Sequence, residues 1–170
     1  SGLIDTLAVC LQLGLMDETG LLFSANEVSE PWNRYVGEDE NGICICLTDE
    51  VRVTQADVRK IQLAKAPIAA GIQILLQEKG WQIKDIDQVI LAGGFGSYMR
   101  KESAAAIGLI PKGLVSCTRS VGNAAGEGAV SAALASEART ELEQLQKQMR
   151  YVELSTHEAF SDIFIREMSF

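Results

Sequence analysis

Apolar positions recur at helical spacing through Leu3, Leu7, Cys10, Leu11 and Gly14, which predicts a helix over residues 2–16. Asp17 to Gly20 carries turn chemistry and closes it. Residues 24–42 lose all periodicity and read as an irregular polar stretch, with Pro31, Gly37, the acidic patch Glu38-Asp39-Glu40 and a turn at Asn41-Gly42. Ile43 to Leu47 then reads as a strand, Asp49-Glu50 as a turn and Val51 to Val53 as a second strand, so a hairpin is expected. Thr54 has N-cap chemistry and Asp57 follows three residues on, opening a long helix over 55–79 that stops at Gly80. Pro67 should kink that helix.

The second half alternates strands and helices. Residues 83–87 form a short polar turn. Val89-Ile90-Leu91-Ala92 is an apolar run suited to a strand buried on both faces, and it runs into Gly93-Gly94-Phe95-Gly96. A helix over 100–107 and a strand over 114–121 follow, the strand ending at Gly122-Asn123. An alanine- and glycine-rich helix over 124–136 leads to a charged helix reaching 149. Residues 151–154 are a strand candidate. Ser155 and Glu158 have capping-box spacing before a last helix with Phe160, Ile163, Phe164 and Met168 on one stripe. The alternation indicates an α/β fold, with residues 89–92 and 115–121 as neighbouring strands of one sheet and helices on its faces.

Composition narrows the function. The chain has 170 residues, 47 % of them hydrophobic, which suits a globular domain and excludes intrinsic disorder. No apolar run reaches the roughly 20 residues that span a bilayer, so no membrane role is expected. A formal net charge of −8 disfavours nucleic-acid binding. It leaves room for a nucleotide, whose phosphates backbone N–H groups can hold. The chain opens on Ser1-Gly2-Leu3-Ile4-Asp5 with a helix beginning at once, which reads as a piece of a longer protein.

Three features carry candidate chemistry. The first is the glycine turn at Gly93–Gly96 beyond the end of a strand, where ligands sit in open α/β sheets. It lacks the third glycine of the dinucleotide fingerprint, and there is no Walker A lysine; spacing alone fits a plain tight turn equally well. The second is Val121 to Ala129, which joins a strand to a helix. Asn123 can cap that helix, while Gly126 and Gly128 each cost about 1 kcal/mol against alanine and call for close packing or a ligand. The third is Lys65, set amid Val58, Ile61, Ile68, Ile72 and Leu75 on an apolar face, with Gln62 one turn before it. Its ammonium either escapes to solvent along a packed stem or faces a ligand. The four cysteines form no CxxC pair and His157 stands alone, so the chain itself has no metal or cluster motif; free, buried cysteines suit a reducing cytoplasm.

These residues together resemble one family. Ser1 to Asp5, then Thr54-Gln55, Asp57-Val58-Arg59 and Gln62 to Ala66, then Leu91 to Gly96, Val121 to Ala124 and Glu153-Leu154-Ser155 are similar, in order, to the C-terminal region of the reductive activators of corrinoid proteins. Those are iron–sulfur proteins of anaerobes whose C-terminal domain belongs to the actin, sugar kinase and chaperone ATPase superfamily. The resemblance implies an incomplete ribonuclease-H-like C-terminal lobe. It also implies ATP with Mg2+, and a [2Fe–2S] cluster in an N-terminal ferredoxin domain outside the chain. The implied activity is ATP-dependent return of cobalt(II) corrinoid to cobalt(I), in the cytoplasm. The implied partners are the corrinoid protein of a methyltransferase system and a homodimer mate.

By the same resemblance Gly93, Gly94, Phe95, Gly96 and Ser97 form the adenosine motif. Gly122 and Asn123 belong to the second connecting motif, and Lys65 and Gln62 line the adenine and ribose side. The sequence departs from the full pattern: cluster cysteines, both phosphate-binding hairpins and the acidic metal-holding residues are missing, and Pro67 stands where alanine is expected. The chain alone is therefore not expected to hydrolyse ATP. The alternatives are an activator of radical dehydratases, whose cluster cysteines sit in glycine-rich motifs not found here, and a docking or dimerisation module without nucleotide.

Overall fold

The computed structural model describes residues 2–170, and for Phe95 and Ser97 the backbone alone. Helix α1 is Gly2–Gln12. It ends earlier than the periodicity predicts, because Gly14 turns left-handed at φ +67 and the chain reverses there. The Gly14 N–H donates to Leu11 O at 3.3 Å and the Leu15 N–H to Cys10 O at 2.9 Å, satisfying the helix's last carbonyls.

The stretch predicted to be irregular holds a 3-10 turn, Trp32–Tyr35, and a strand, β1, Val36–Asp39. Strand β1 was hidden because Gly37 and two acidic residues break any apolar alternation. It pairs antiparallel with β2, Gly42–Cys46, which pairs antiparallel with β3, Arg52–Thr54. The expected hairpin is therefore two legs of a three-stranded sheet. Gly37 opposes Cys44, and a Cβ on it would sit 2.7 Å from Cys46 Sγ, so the missing side chain makes room for the thiols.

Helix α2, Gln55–Lys79, starts with a capping box. The Asp57 N–H donates to Thr54 Oγ1 at 3.3 Å, and Asp57 Oδ2 accepts from the Thr54 N–H at 3.2 Å. The helix continues through Pro67 and ends at Gly80. Its buried face is not the bulky stripe. Val58, Gln62, Lys65, Ala66, Ala69, Ala70, Gly71 and Ile74 are buried, whereas Ile68 and Leu75 are about half exposed. Small residues win the inner face because they let neighbours come close: a Cβ on Gly71 would lie 3.2 Å from Leu154 Cδ1.

Strand β4, Val89–Ala92, leads through Gly93 into a four-residue helix, α3, Gly94–Ser97, and then α4, Lys101–Ala106. Strand β5 is Thr118–Gly122; a 3-10 segment, Lys112–Cys117, takes the first part of the predicted strand. Strands β4 and β5 are neighbours in one sheet, as expected, and pair in parallel, with Val89 opposite Thr118 and Ala92 opposite Gly122. The expectation of burial on both faces fails for β4. Ile90 is 51 % exposed, because among the described residues β4 has one strand neighbour and one covered face.

Helix α5, Ala124–Leu134, and helix α6, Ser136–Gln148, bury no residue. The strand candidate at 151–154 forms no strand; it runs along α2, where Leu154 packs. Arg150 and His157 reach Glu78 at 2.9 and 3.6 Å and tie this segment to the end of α2. The predicted capping box does not form, since Ser155 donates instead to Glu153. The last helix, α7, Phe160–Arg166, starts later than the spacing suggested and packs across α2 through Ile163, Phe160 and Phe164. The main core joins α1, β2, β3, the start of α2 and α4 around Leu7, Cys10, Leu22, Ile45, Val58 and Ile107.

Candidate functional site

The two parallel strands end side by side. Gly93, at φ +95, and Gly122, at φ +68, both adopt conformations that L side chains avoid. The Gly93 N–H donates to Gly122 O at 2.6 Å, clamping the two strand ends together. Each corner then opens a helix: α3 after Gly93, which packs on β4 and β5, and α5 after Asn123. The Asn123 side chain caps α5, its Oδ1 accepting from the Gly126 N–H at 3.1 Å. Gly126 is glycine because a Cβ there would meet the folded-back Asn123 amide, its Cγ at 3.0 Å.

Among the described residues, the space above the corner is open. A Cβ placed on Gly93 or Gly94 meets nothing within 4 Å, nor does one on Gly128. Gly96 is different. It is buried, its Cβ position lies 3.3 Å from Leu91 Cβ, and its carbonyl accepts from Ser120 Oγ at 3.2 Å. Gly96 therefore packs the turn onto the sheet, while Gly93 and Gly94 present bare backbone outward. Such a corner can take a flat or anionic group against backbone, with N–H donors at the start of α5. The side chains of Phe95 and Ser97, also expected here, lie outside the described residues.

The structure brings Gly93, Gly94, Gly96, Gly122 and Asn123 together, but Lys65 and Gln62 have other partners. Lys65 is 2 % exposed, so the picture of an ammonium escaping to solvent fails. The ammonium does not turn to the glycine corner either: Nζ donates to the carbonyl of Ser169 and lies 5.6 Å from the centre of the Phe170 ring. Burial pushes its pKa below the usual lysine value, partly offset by the Glu167 carboxylate. Gln62, 1 % exposed, donates from Nε2 to Thr19 O at 2.9 Å and accepts from Arg59 at 2.6 Å. Both side chains are tied down because a buried polar group without a partner is costly. The pattern of apolar residues on α2 gave no sign that the last two residues of the chain would supply the partner for Lys65. An apolar cavity of about 440 Å3 between α2 and β4 is lined by Ile61, Lys65, Ile68, Ile90, Leu91 and Gly96.

The cysteines are all free. Burial pushes the Cys10 thiol up to about 11 and raises Cys44, whose sulfur lies 4.0 Å from that of Cys46. Among the described residues no group of three or more His, Cys, Asp or Glu is placed to hold a metal ion. No helix there is long and apolar enough to cross a membrane.

The model of a protein family described as the C-terminal domain of RACo, the ASKHA domain, matches residues 1–170. The chain belongs to this family. It is similar to the corrinoid activation enzyme RamQ of Eubacterium limosum, 31 % identical over 180 residues, covering 100 % of this chain and 30 % of that protein. It is also similar to a solved reductive activator for corrinoid, iron–sulfur protein, with a TM-score of 0.85 and 31 % identity over 98 % of this chain and 27 % of that one. The chain thus spans less than a third of either relative's length. The fold is an α/β domain of the actin and sugar-kinase type, as the RACo C-terminal family requires.

Proposed function

We propose that this chain is the C-terminal, nucleotide-binding part of an ATP-dependent reductive activator that returns cobalt(II) corrinoid proteins to cobalt(I). The observation that carries the reading is the pair of strand ends clamped by the Gly93–Gly122 hydrogen bond, with open space above Gly93 and Gly94. Membership of the RACo C-terminal family supports it, as does the name of the RamQ relative.

In this reading the adenosine lies against the backbone of Gly93 and Gly94, with Phe95 and Ser97 beside it. The Gly122–Asn123 corner and the first N–H groups of α5 face its phosphates. Gly96 positions the turn. Lys65 and Gln62 act at one remove, by fixing α2 within the packed core. Bound ATP supplies the free energy that an uphill electron transfer needs. In the same reading, Mg2+ and a [2Fe–2S] cluster belong to other parts of a longer activator: phosphate hairpins, acidic residues and a plant-type ferredoxin domain. The partner is the corrinoid protein of a methyltransferase system in an anaerobe's cytoplasm, and four free cysteines suit that compartment. A homodimer of the activator belongs to the same proposal.

The test is Gly94→Val in the full-length activator. A branched side chain there fills the space over the corner. Formation of cobalt(I), followed by absorbance with ATP and a low-potential electron donor, should lose its ATP dependence while circular dichroism stays unchanged. ATP-dependent reduction at the wild-type rate would refute the site.

A further inference from the structure

A second concave site lies on the other side of α4, between α1 and α4. It is a cleft of about 600 Å3, within the range of small-molecule sites. Its apolar floor is made by Ala8, Leu11, Ala105 and Val115, and its polar wall by Gln12, Arg100, Glu102, Ser103 and Lys112. Three observations on that wall point to an anionic ligand.

First, the chain as a whole is acidic, with a formal net charge of −8, yet this wall sets two cations against one carboxylate. Second, Arg100 is unlike the other arginines. Each of those has a hydrogen-bond, ion-pair or ring partner: Arg34 lies over Tyr35, Arg59 donates to Thr19 O and Gln62, and Arg150 pairs with Glu78. Arg52, Arg119, Arg139 and Arg166 have one too. Among the described residues the Arg100 guanidinium has no such partner, and neither has the Lys112 ammonium. Third, Ser103 is 8 % exposed and its hydroxyl makes no hydrogen bond with a described group. That hydroxyl is not a buried unsatisfied atom: it reaches solvent within the cleft that Arg100 and Lys112 also line, and is free to donate to a ligand there.

We propose that this cleft binds a small organic anion, a single phosphate or carboxylate carried on an apolar body. The guanidinium of Arg100 suits a two-pronged bond to the anion, which a planar fork makes better than an ammonium does. Lys112 adds charge and Ser103 a hydroxyl donor. The body of the ligand lies on Ala8, Leu11, Ala105 and Val115. Glu102 at the rim works against a polyanion. The site is separate from the glycine corner, and its existence does not depend on nucleotide binding there.

Phenyl phosphate, benzoate and inorganic phosphate serve as probes, each titrated into the full-length activator and followed by amide chemical shifts. Phenyl phosphate should move the amides of Gln12, Arg100, Ser103 and Lys112. It should bind about tenfold more tightly than inorganic phosphate, as burying a ring on an apolar floor allows. Benzoate binding at the same amides would identify a carboxylate as the natural group, and its failure a phosphate. Arg100→Gln, an exposed change that leaves the fold alone, should weaken phenyl phosphate about tenfold, and Ser103→Ala about threefold. Shifts spread over other surfaces, equal affinity for inorganic phosphate, or an unchanged Arg100→Gln variant would each overturn the proposal.

Discussion

Two glycine-bearing regions of this molecule do opposite things. At the turn by Gly20 and at Gly108, glycine is required because polar side chains fill the space: a Cβ would come within 2.7 Å of Gln62 Nε2 and 3.0 Å of Lys65 Nζ. At Gly93 and Gly94 a Cβ would meet nothing within 4 Å. The first region is finished. Its polar atoms are paired inside the core, and its glycines are there for packing. The second is bare backbone over open space, held rigid from behind by the Gly93–Gly122 bond and by Gly96 against Leu91. Tight glycines here serve packing, whereas the open pair on the fixed strand end is where the proposed nucleotide would lie.

Substitutions can break that contrast. The largest loss is expected from Gly20→Ala. It places a Cβ against Gln62 and Val58 at φ +79, and should cost about 3 kcal/mol in urea unfolding. Next comes Lys65→Met, which leaves the Ser169 carbonyl without its donor and should cost about 2 kcal/mol by the same measurement. The same variant changes the pH profile. The folded pKa of Lys65 lies below its unfolded value near 10.5, so the unfolded chain binds more protons between the two. This group therefore adds stability as pH rises through that window, and the methionine variant should lack that rise.

Thr54→Ala, at the cap of the packed helix, should cost about 1 kcal/mol. Hydrogen bonds from Thr54 hold the Asp57 carboxyl below its usual range, with Lys60 adding to them. Its contribution is complete above the unfolded value near 3.8 and is lost as pH falls through the folded one. Asp57→Asn should accordingly flatten the acid limb of the stability curve. The smallest effect is expected at the open corner, where Gly94→Ala should shift unfolding by less than about 0.5 kcal/mol. A large loss there, matching Gly20→Ala, would erase the distinction between the regions.

Much of this was legible in the sequence where one local signal decided the matter. Thr54 and Asp57 gave the start of α2, Gly80 gave its end, and two apolar runs ending in glycine gave β4 and β5 as neighbouring strands of one sheet. What escaped depended on long-range partners. Bulky residues on α2 suggested an apolar face through Ile68 and Leu75, but close packing chose the alanines instead. Lys65 stood out correctly as a cation within the helix's inner surface. Its direction was set by the carbonyl of Ser169, 104 positions away, which no spacing could reveal. Strand β1 carries Gly37 opposite two thiols, so its pairing came from its partner's needs rather than its own propensity. Within the glycine corner, the sequence named Gly93 to Gly96 together; only the geometry separates Gly93 and Gly94, which face outward, from Gly96, which packs.

The most direct test of the central claim is a calorimetric titration of Mg·ATP into the full-length activator and into its Gly94→Val and Lys65→Met variants, each checked for fold by circular dichroism. The account expects ATP to bind the wild type, Gly94→Val to bind about tenfold or more weakly, and Lys65→Met to keep its affinity while losing stability. Equal affinity of the folded Gly94→Val variant and the wild type would contradict it.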